Sequence, residues 1–436
     1  MNVPAALGRA AFPAPVLDVL RTLTGAGHRS WLVGGAVRDL LLRRPRTAGD
    51  FDVATPARPD EVMRLFRKVI PTGVEHGTVT VLARGEPIEV TTFRGEGAYR
   101  DGRRPESVVF LQDLEADLAR RDFTINALAF DPLAPEFRDP FGGRDDLRRR
   151  RVRAVGDPAA RFAEDGLRPM RAVRFVAQLG FGLDPTTRRS IPGALDVVRL
   201  VAAERLTDEL GKLLVARHAL DALRLLRSTG LLRVVLPAVA ALPPRTLEHA
   251  EGVAGRVAPD LAARLAAVLH PLGADGARKA LSALRFPRQV SDSAEALVRF
   301  YPCRRTPGGA LPASDPAAIR RWLSRVEPRR VEALLFAAAA EARGLPPSSR
   351  RRAGTELARV RKRVTEVLRS NPPLAIRDLA LDGRDVAEVL GAAPGPRVGE
   401  ALRHLLDRVL QDPRENDPER LRAALREWSS QGAGRI

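Results

Sequence analysis

The stretch from Trp31 to Thr55 constrains the fold more than any other. It reads Trp31-Leu-Val-Gly-Gly-Ala-Val-Arg-Asp39, a short helical segment, then Gly49-Asp-Phe-Asp-Val-Ala-Thr55. An apolar run leads into a glycine pair, a helix opens near Val37, and a second strand follows. Side chains alternate along a strand, so Asp50 and Asp52 project to one face while Phe51 turns to the other. Two adjacent carboxylates repel unless a cation neutralises them. Mg²⁺ prefers oxygen donors and is commonly held by one or two carboxylates together with substrate phosphates. Gly34 and Gly35 lack a Cβ, which leaves room for phosphate oxygens to approach the backbone before the helix. The segment thus offers a phosphate cradle and a carboxylate pair suited to metal. Alone, a Gly-Gly pair reads as a tight turn and an Asp-x-Asp as a solvated edge. Their order, strand, Gly-Gly, helix, Asp-x-Asp, is far more specific.

That order is the minimum equipment for nucleotidyl transfer. Here the chain resembles the nucleotidyltransferases of the DNA polymerase β superfamily, and more narrowly the bacterial-type (class II) tRNA nucleotidyltransferase and poly(A) polymerase family. The resemblance implies an α/β nucleotidyltransferase head, a mixed β-sheet with helices, over residues 1–150. An all-α neck (151–222), body (223–355) and tRNA-binding tail (356–436) are expected to follow.

Within the first third, the spacing of Val62, Leu65, Phe66 and Val69 predicts a helix over 59–70. His76-Gly-Thr-Val-Thr-Val-Leu82 and Ile88-Glu-Val-Thr-Thr-Phe93 form a β-hairpin about a Gly85-Glu-Pro turn. Glu89 lies between apolar Ile88 and Val90, either as a third carboxylate beside the Asp pair or as a solvent-facing residue. The resembled family carries an acidic residue after this strand pattern, which favours the catalytic role. Residues 93–105, rich in Gly and charge, read as a mobile loop.

Residues 115–130 are expected to form a helix containing Arg120-Arg-Asp-Phe-Thr-Ile-Asn-Ala-Leu128, with Asp122 and Asn126 on one face and Phe123 and Leu128 in the core. Arg pairs with phosphates, and Asp and Asn hydrogen-bond sugar hydroxyls; capping and surface ion pairs explain the same residues equally well. The string matches the family motif whose Arg, Asp and Asn hold triphosphate and sugar, which implies that role for Arg121, Asp122 and Asn126. Gly34, Gly35 and Arg38 would steady the triphosphate, with Arg38 alternatively paired to Asp39 or another acid.

Beyond Asp145 the pattern is helical. The arginine-rich run 148–153 reads as a solvated face. In Glu164-Asp-Gly-Leu-Arg168 an acceptor, Asp165, sits near a donor, Arg168. Cytosine presents an N4 donor beside its N3 acceptor and adenine N6 beside N1, so one Asp–Arg pair matches both. A surface ion-pair network is the bland alternative. With Arg171-Ala-Val-Arg-Phe175 following, the segment resembles the family's nucleotide-selecting motif, in which Glu164 would position its neighbours. Pro169 fits only a helix's first turn, so the helix starts near Gly166 or kinks there. Glu204-Arg-Leu-Thr-Asp-Glu-Leu-Gly-Lys-Leu-Leu214 matches a motif that braces the neck.

In the body, residues 261–270 resemble the stretch where some relatives carry a His-Asp metal phosphohydrolase; Pro271 replaces the required Asp, so no such activity is expected. The tail resembles the family's from Pro373 onwards, with Gly395-Pro-Arg-Val-Gly399 opening a helix and Asp412-Pro-Arg-Glu-Asn416 following.

The composition agrees. The 436 residues allow two to four domains, and a formal charge of +19, from 72 Lys and Arg against 53 Asp and Glu, suits a polyanionic partner. The single cysteine, Cys303, excludes an internal disulfide and fits a reducing compartment. Neither a signal-peptide pattern nor a membrane-length apolar run is present, so a cytoplasmic protein without a membrane partner is expected.

The resemblance implies a template-independent enzyme that adds C, C and A to tRNA 3′ ends from CTP and ATP. Asp50 and Asp52 would hold Mg²⁺, with Glu89 as a third catalytic carboxylate. The alternatives are A-only or CC-only addition, a poly(A) polymerase of the same family, and a non-catalytic RNA-binding protein on this scaffold.

Overall fold

A computed structural model describes residues 3–45, 47–96, 108–302, 311–312 and 315–432. Most of the 93–105 loop and Cys303 therefore lie outside the described residues. The chain divides into two compact units, 1–241 with 283–285, and 242–282 with 286–436.

The first unit is built on a seven-stranded sheet. In chain order its strands are β1 (Trp31–Val33), β2 (Asp52–Thr55), β3 (Val69–Gly73), β4 (Thr78–Ala83) and β5 (Glu86–Thr92). A small two-stranded ribbon follows, β6 (Arg94–Glu96) with β7 (Val108–Phe110), and then β8 (Ala129–Asp131) and β9 (Glu136–Arg138). The order across the large sheet is β3-β4-β5-β2-β1-β8-β9. Only the β2–β5 pairing is parallel; the other neighbours run antiparallel, so the sheet is mixed. Strand β1 lies between β2 and β8 and is buried along its length, which explains its unbroken apolar Trp-Leu-Val. In β5 Ile88 and Val90 are buried while Glu89 is exposed, the alternation of a strand with one covered face. Trp31, Val33, Ala54, Phe93, Leu114, Leu118 and Ala127 form one core cluster against the sheet.

Several elements differ from the sequence reading. Asp50 is not on a strand: it closes the 3₁₀ turn Ala48–Asp50, and β2 begins at Asp52. Its Oδ2 accepts from the N–H and hydroxyl of Thr47, both at 2.8 Å. The helix after the glycine pair spans Gly35–Leu41 and so starts two residues before Val37, because Gly34, at φ 70°, turns the chain directly into it. The helix expected over 59–70 stops at Leu65, and Ile70 belongs to β3; Val69 pairs with Val81, and sheet pairing overrides the helical spacing. The hairpin turn is Arg84-Gly85, both at positive φ, and Glu86 is already in β5.

The largest difference lies at 115–130. A helix occupies Leu114–Ala119 only; a 3₁₀ turn covers Thr124–Asn126, and Ala129 opens β8. Asp122 and Asn126 still meet, because the turn brings Asn126 Nδ2 to Asp122 Oδ1 at 3.0 Å. Pro169 sits in the first turn of the helix Arg168–Leu179, the position that tolerates proline, and no kink is needed. The 148–153 run is only partly a solvated face: Arg151–Val152 pairs in parallel with Gly182–Leu183, and Arg153 donates to Asp146 and to the Phe141 carbonyl.

The second unit is helical. Prolines 244, 316, 328, 347 and 396 each stand at the start of a helix, where the missing N–H costs nothing. Gly395 directly precedes the helix Pro396–Gln411. Leu381, Val386, Val398, Leu405, Val409, Leu421 and Leu425 pack as the core of the C-terminal part. Asn416 ties it together, accepting from the Ala380 N–H and donating to the Asp378 carbonyl. No helix among the described residues is long and apolar enough to cross a membrane.

Candidate active site

One cleft in the first unit gathers nearly all of the residues singled out by sequence. It has a volume of ≈ 560 Å³, and its walls include Gly34, Gly35, Arg38, Asp50, Asp52, Arg121, Asp122, Asn126, Asp165 and Arg168. Arg94, Arg120, Arg171, Arg174 and Phe175 complete the lining. Seven arginines thus face four aspartates, a field that favours a polyanion.

Gly34 marks the closest approach of backbone to this charge. A Cβ there would stand 3.0 Å from Arg121 Nη1 and 3.8 Å from Asp52 Oδ2. The Gly34 N–H itself donates to the Leu128 carbonyl (3.2 Å), so what Gly34 offers a ligand is room and not a donor. Glu89 is in register with Asp52 on the neighbouring parallel strand but is exposed and does not line the cleft.

The arginines are held by buried carboxylates. Asp117 receives Arg120 Nη2 at 2.6 Å and Arg121 Nη2 at 3.1 Å. Burial pushes the Asp117 carboxyl up, but these two guanidinium groups outweigh it and hold it below the ordinary range. Arg121 Nε is buried and has no acceptor among the described residues, an unsatisfied donor in a cleft of this polarity. Asp122 receives Arg171 Nε (2.8 Å), Asn126 Nδ2 (3.0 Å) and the Phe123 N–H (2.8 Å). Its burial is likewise overcome, chiefly by Arg171, so it stays ionised, and Arg171 is correspondingly raised.

Arg38 pairs with Asp39 through Nε (2.8 Å) and Nη2 (3.1 Å) and donates from Nη1 to Asn126 Oδ1 (2.7 Å). Burial, only partly countered by Asp122, lowers it to about 10. Arg168 Nη1 reaches Glu164 (2.5 Å) and the Arg161 carbonyl (2.9 Å), and Nη2 the Arg120 carbonyl (3.1 Å). Glu164 thus holds its neighbour, as expected. Asp165 Oδ1 accepts from the Leu167 N–H, and its Oδ2 lies 3.5 Å from Arg205. Arg174, fixed by buried Glu209 of the neck-bracing segment (2.5 Å), lies 4.2 Å over the Phe175 ring.

The family profile described as "Poly A polymerase head domain" matches residues 30–153, and that described as "Probable RNA and SrmB- binding site of polymerase A" matches 180–242. The CCA-adding enzyme of Geobacillus stearothermophilus is 40% identical over 414 residues, 94% of this chain and 96% of the relative. This chain belongs to the CCA-adding enzyme family. A second member, from Geobacillus thermodenitrificans, is 39% identical over 95% of this chain and 96% of its own length. The crystal structure of the Bacillus stearothermophilus CCA-adding enzyme, solved in complex with CTP, superposes with a TM-score of 0.78 at 36% identity, over 98% of this chain and 100% of that one. The mixed-sheet head and the helical remainder are therefore the fold of CCA-adding enzymes, and the chain is a nucleotidyltransferase.

The head match contains Asp50, Asp52 and the 121–126 motif, whereas Asp165 and Arg168 fall between the two matched regions. Arg120, Arg171, Arg174 and Phe175 lie within the motifs read from the sequence but carry no individual role there, and Arg94 lies in the stretch read as a loop. Arg171 and Arg174 had a sequence signal: they follow Arg168 at intervals of three, one face of a helix. Arg94 had none, since strand geometry alone turns it toward the cleft.

Proposed function

We propose that the chain adds C, C and A in turn to the 3′ end of tRNA from CTP and ATP, releasing pyrophosphate, with no nucleic-acid template. The observation that carries this reading is the single cleft in which the Asp50–Asp52 pair, an arginine wall and the Asp165–Arg168 pair converge. Identity over almost the whole length, tail included, supports a shared tRNA substrate.

Asp50 and Asp52 are hard oxygen donors in the wall of a cleft whose net charge is positive, a donor set that fits Mg²⁺. They would hold two such ions, whose charge would lower the pKa of the 3′-hydroxyl and offset that of the pyrophosphate. Glu89, neighbour to Asp52 in the sheet, adds negative potential from outside the cleft. The chain's own groups do the remaining work. Arg121, with its unsatisfied Nε, and Arg171 and Arg174 face the triphosphate; they bind it and orient the α-phosphate for in-line displacement. Asp122 and Asn126 use their polar atoms to hold Arg171 and Arg38, so we read them as positioning residues. Asp165 accepts from the exocyclic amine of cytosine or adenine and Arg168 donates to the ring nitrogen beside it; uracil and guanine present the reverse pattern.

The test is incorporation of labelled CTP and ATP, singly and together, into tRNAs ending before CCA, after C and after CC. Completion of CCA on the shortest substrate is expected. Addition of A alone to the CC end, or of CC alone, would make this a partial-activity enzyme. Long A tails would make it a poly(A) polymerase, and no incorporation would leave an RNA-binding protein.

A further inference from the structure

The second unit contains a grouping of metal-ligating side chains that the nucleotidyl-transfer chemistry does not use. His249 lies on the helix Pro244–Ala254, His270 opens the 3₁₀ turn His270–Leu272 that ends the helix Leu261–Leu269, and Glu341 lies near the end of the helix Pro328–Arg343. One donor atom from each falls within 4.8 Å of the others. His249 Nε2 is 2.9 Å from Glu341 Oε2, and His270 Nε2 is 4.0 Å from Glu341 Oε1. Donors around a tetrahedral Zn²⁺, each ~2.0–2.1 Å from the metal, stand roughly 3.3 Å apart. The two observed separations bracket that value.

The protonation pattern points the same way. His270 is buried, and its Nδ1 lies 2.8 Å from the Ala267 carbonyl. A carbonyl only accepts, so Nδ1 carries the proton and the Nε2 lone pair is the one left to bind a metal. That lone pair faces Glu341 Oε1, which is buried and receives no hydrogen bond from the described residues. Two acceptors facing each other out of water are repulsive unless a metal ion or a proton lies between them. A histidine whose second ring nitrogen donates to a backbone carbonyl is also the usual arrangement at a metal, since that bond fixes tautomer and ring orientation. The Tyr301 ring stacks on His270 at 4.2 Å and 12° and closes one face of the site.

We propose that His249, His270 and Glu341 form a Zn²⁺ site that cross-links three helices of the second unit. Two imidazoles and one carboxylate suit zinc and leave a fourth position for water. The site is independent of the transfer reaction: its donors are in the second unit, the reacting carboxylates in the first.

The test uses the full-length chain without an affinity tag, carrying Asp50→Asn and Asp52→Asn so that the cleft contributes no metal. After equilibration with Zn²⁺ and dialysis, about one zinc per chain is expected by elemental analysis. Co²⁺ in its place should give the intense visible bands of a tetrahedral ion, and chelation should lower Tm. His249→Gln or Glu341→Gln, each added to that background, should abolish bound zinc, cobalt bands and the chelator effect together. Absence of zinc and of tetrahedral bands in the parent would overturn the proposal. So would zinc that survives both substitutions.

Discussion

Asp122 is where the charges of the cleft converge: Arg171, Asn126 and a backbone N–H all bond its two oxygens. Its folded-state pKa lies below the ordinary 3.8. The stability it contributes is therefore complete above that ordinary value and is lost as pH falls through the lower, folded-state one. Asp122→Asn should destabilise the protein by about 2 kcal/mol at neutral pH, between the surface and buried limits for an ion pair. Thermal melts of the two proteins should converge as the pH drops below ~4. Arg121 carries a different load, since one guanidinium both holds Asp117 and leaves its Nε unsatisfied in the cleft. A lysine keeps the charge but not the planar fork, so Arg121→Lys should raise KM for both CTP and ATP by about tenfold in steady-state assays. Asp52→Asn should lower kcat by roughly three orders of magnitude with an unchanged circular dichroism spectrum, as loss of about 4 kcal/mol of transition-state stabilisation requires.

Among the elements, the segment joining Glu164 to the helix Arg168–Leu179 decides the geometry of Asp165 and Arg168, the pair proposed to read the base. Gly166 has no room for a side chain: a Cβ would fall 2.5 Å from the Val197 carbonyl oxygen. Gly166→Ala must displace backbone, and should cost about 1–3 kcal/mol in urea melts. Because Asp165 and Arg168 flank it, the same substitution should raise KM for both nucleotides; a loss of stability with nucleotide binding intact would separate Gly166 from the site. The 115–130 region shows why motifs survive wrong secondary structure. Helical spacing correctly joined Asp122 to Asn126, although the joining element is a 3₁₀ turn. Both conformations bring residues of near sequence separation together, so the contact was legible when the helix was not.

At the scale of the whole molecule, the charge of +19 is the property that would govern encounter with the proposed tRNA substrate. Counterion release makes that encounter salt-dependent, so tRNA affinity should fall by at least about tenfold between 50 and 200 mM salt in filter binding. A flat response would mean that the excess arginine is not directed at phosphate. The order strand, Gly-Gly, helix, Asp-x-Asp, the alternation of β5 and the prolines that open the helices are local patterns, set by backbone geometry within a few residues. They showed an α/β first third and a helical remainder, and the family resemblance carried by the motifs added the mixed-sheet head and most of the cleft residues. What only the tertiary structure decided is each arginine's partner and the crossing of distant segments. Residues 94, 120, 168, 171 and 174 meet one cleft, and His249 meets Glu341 across 92 positions. Such contacts depend on the packing of whole elements, which no spacing along the chain encodes.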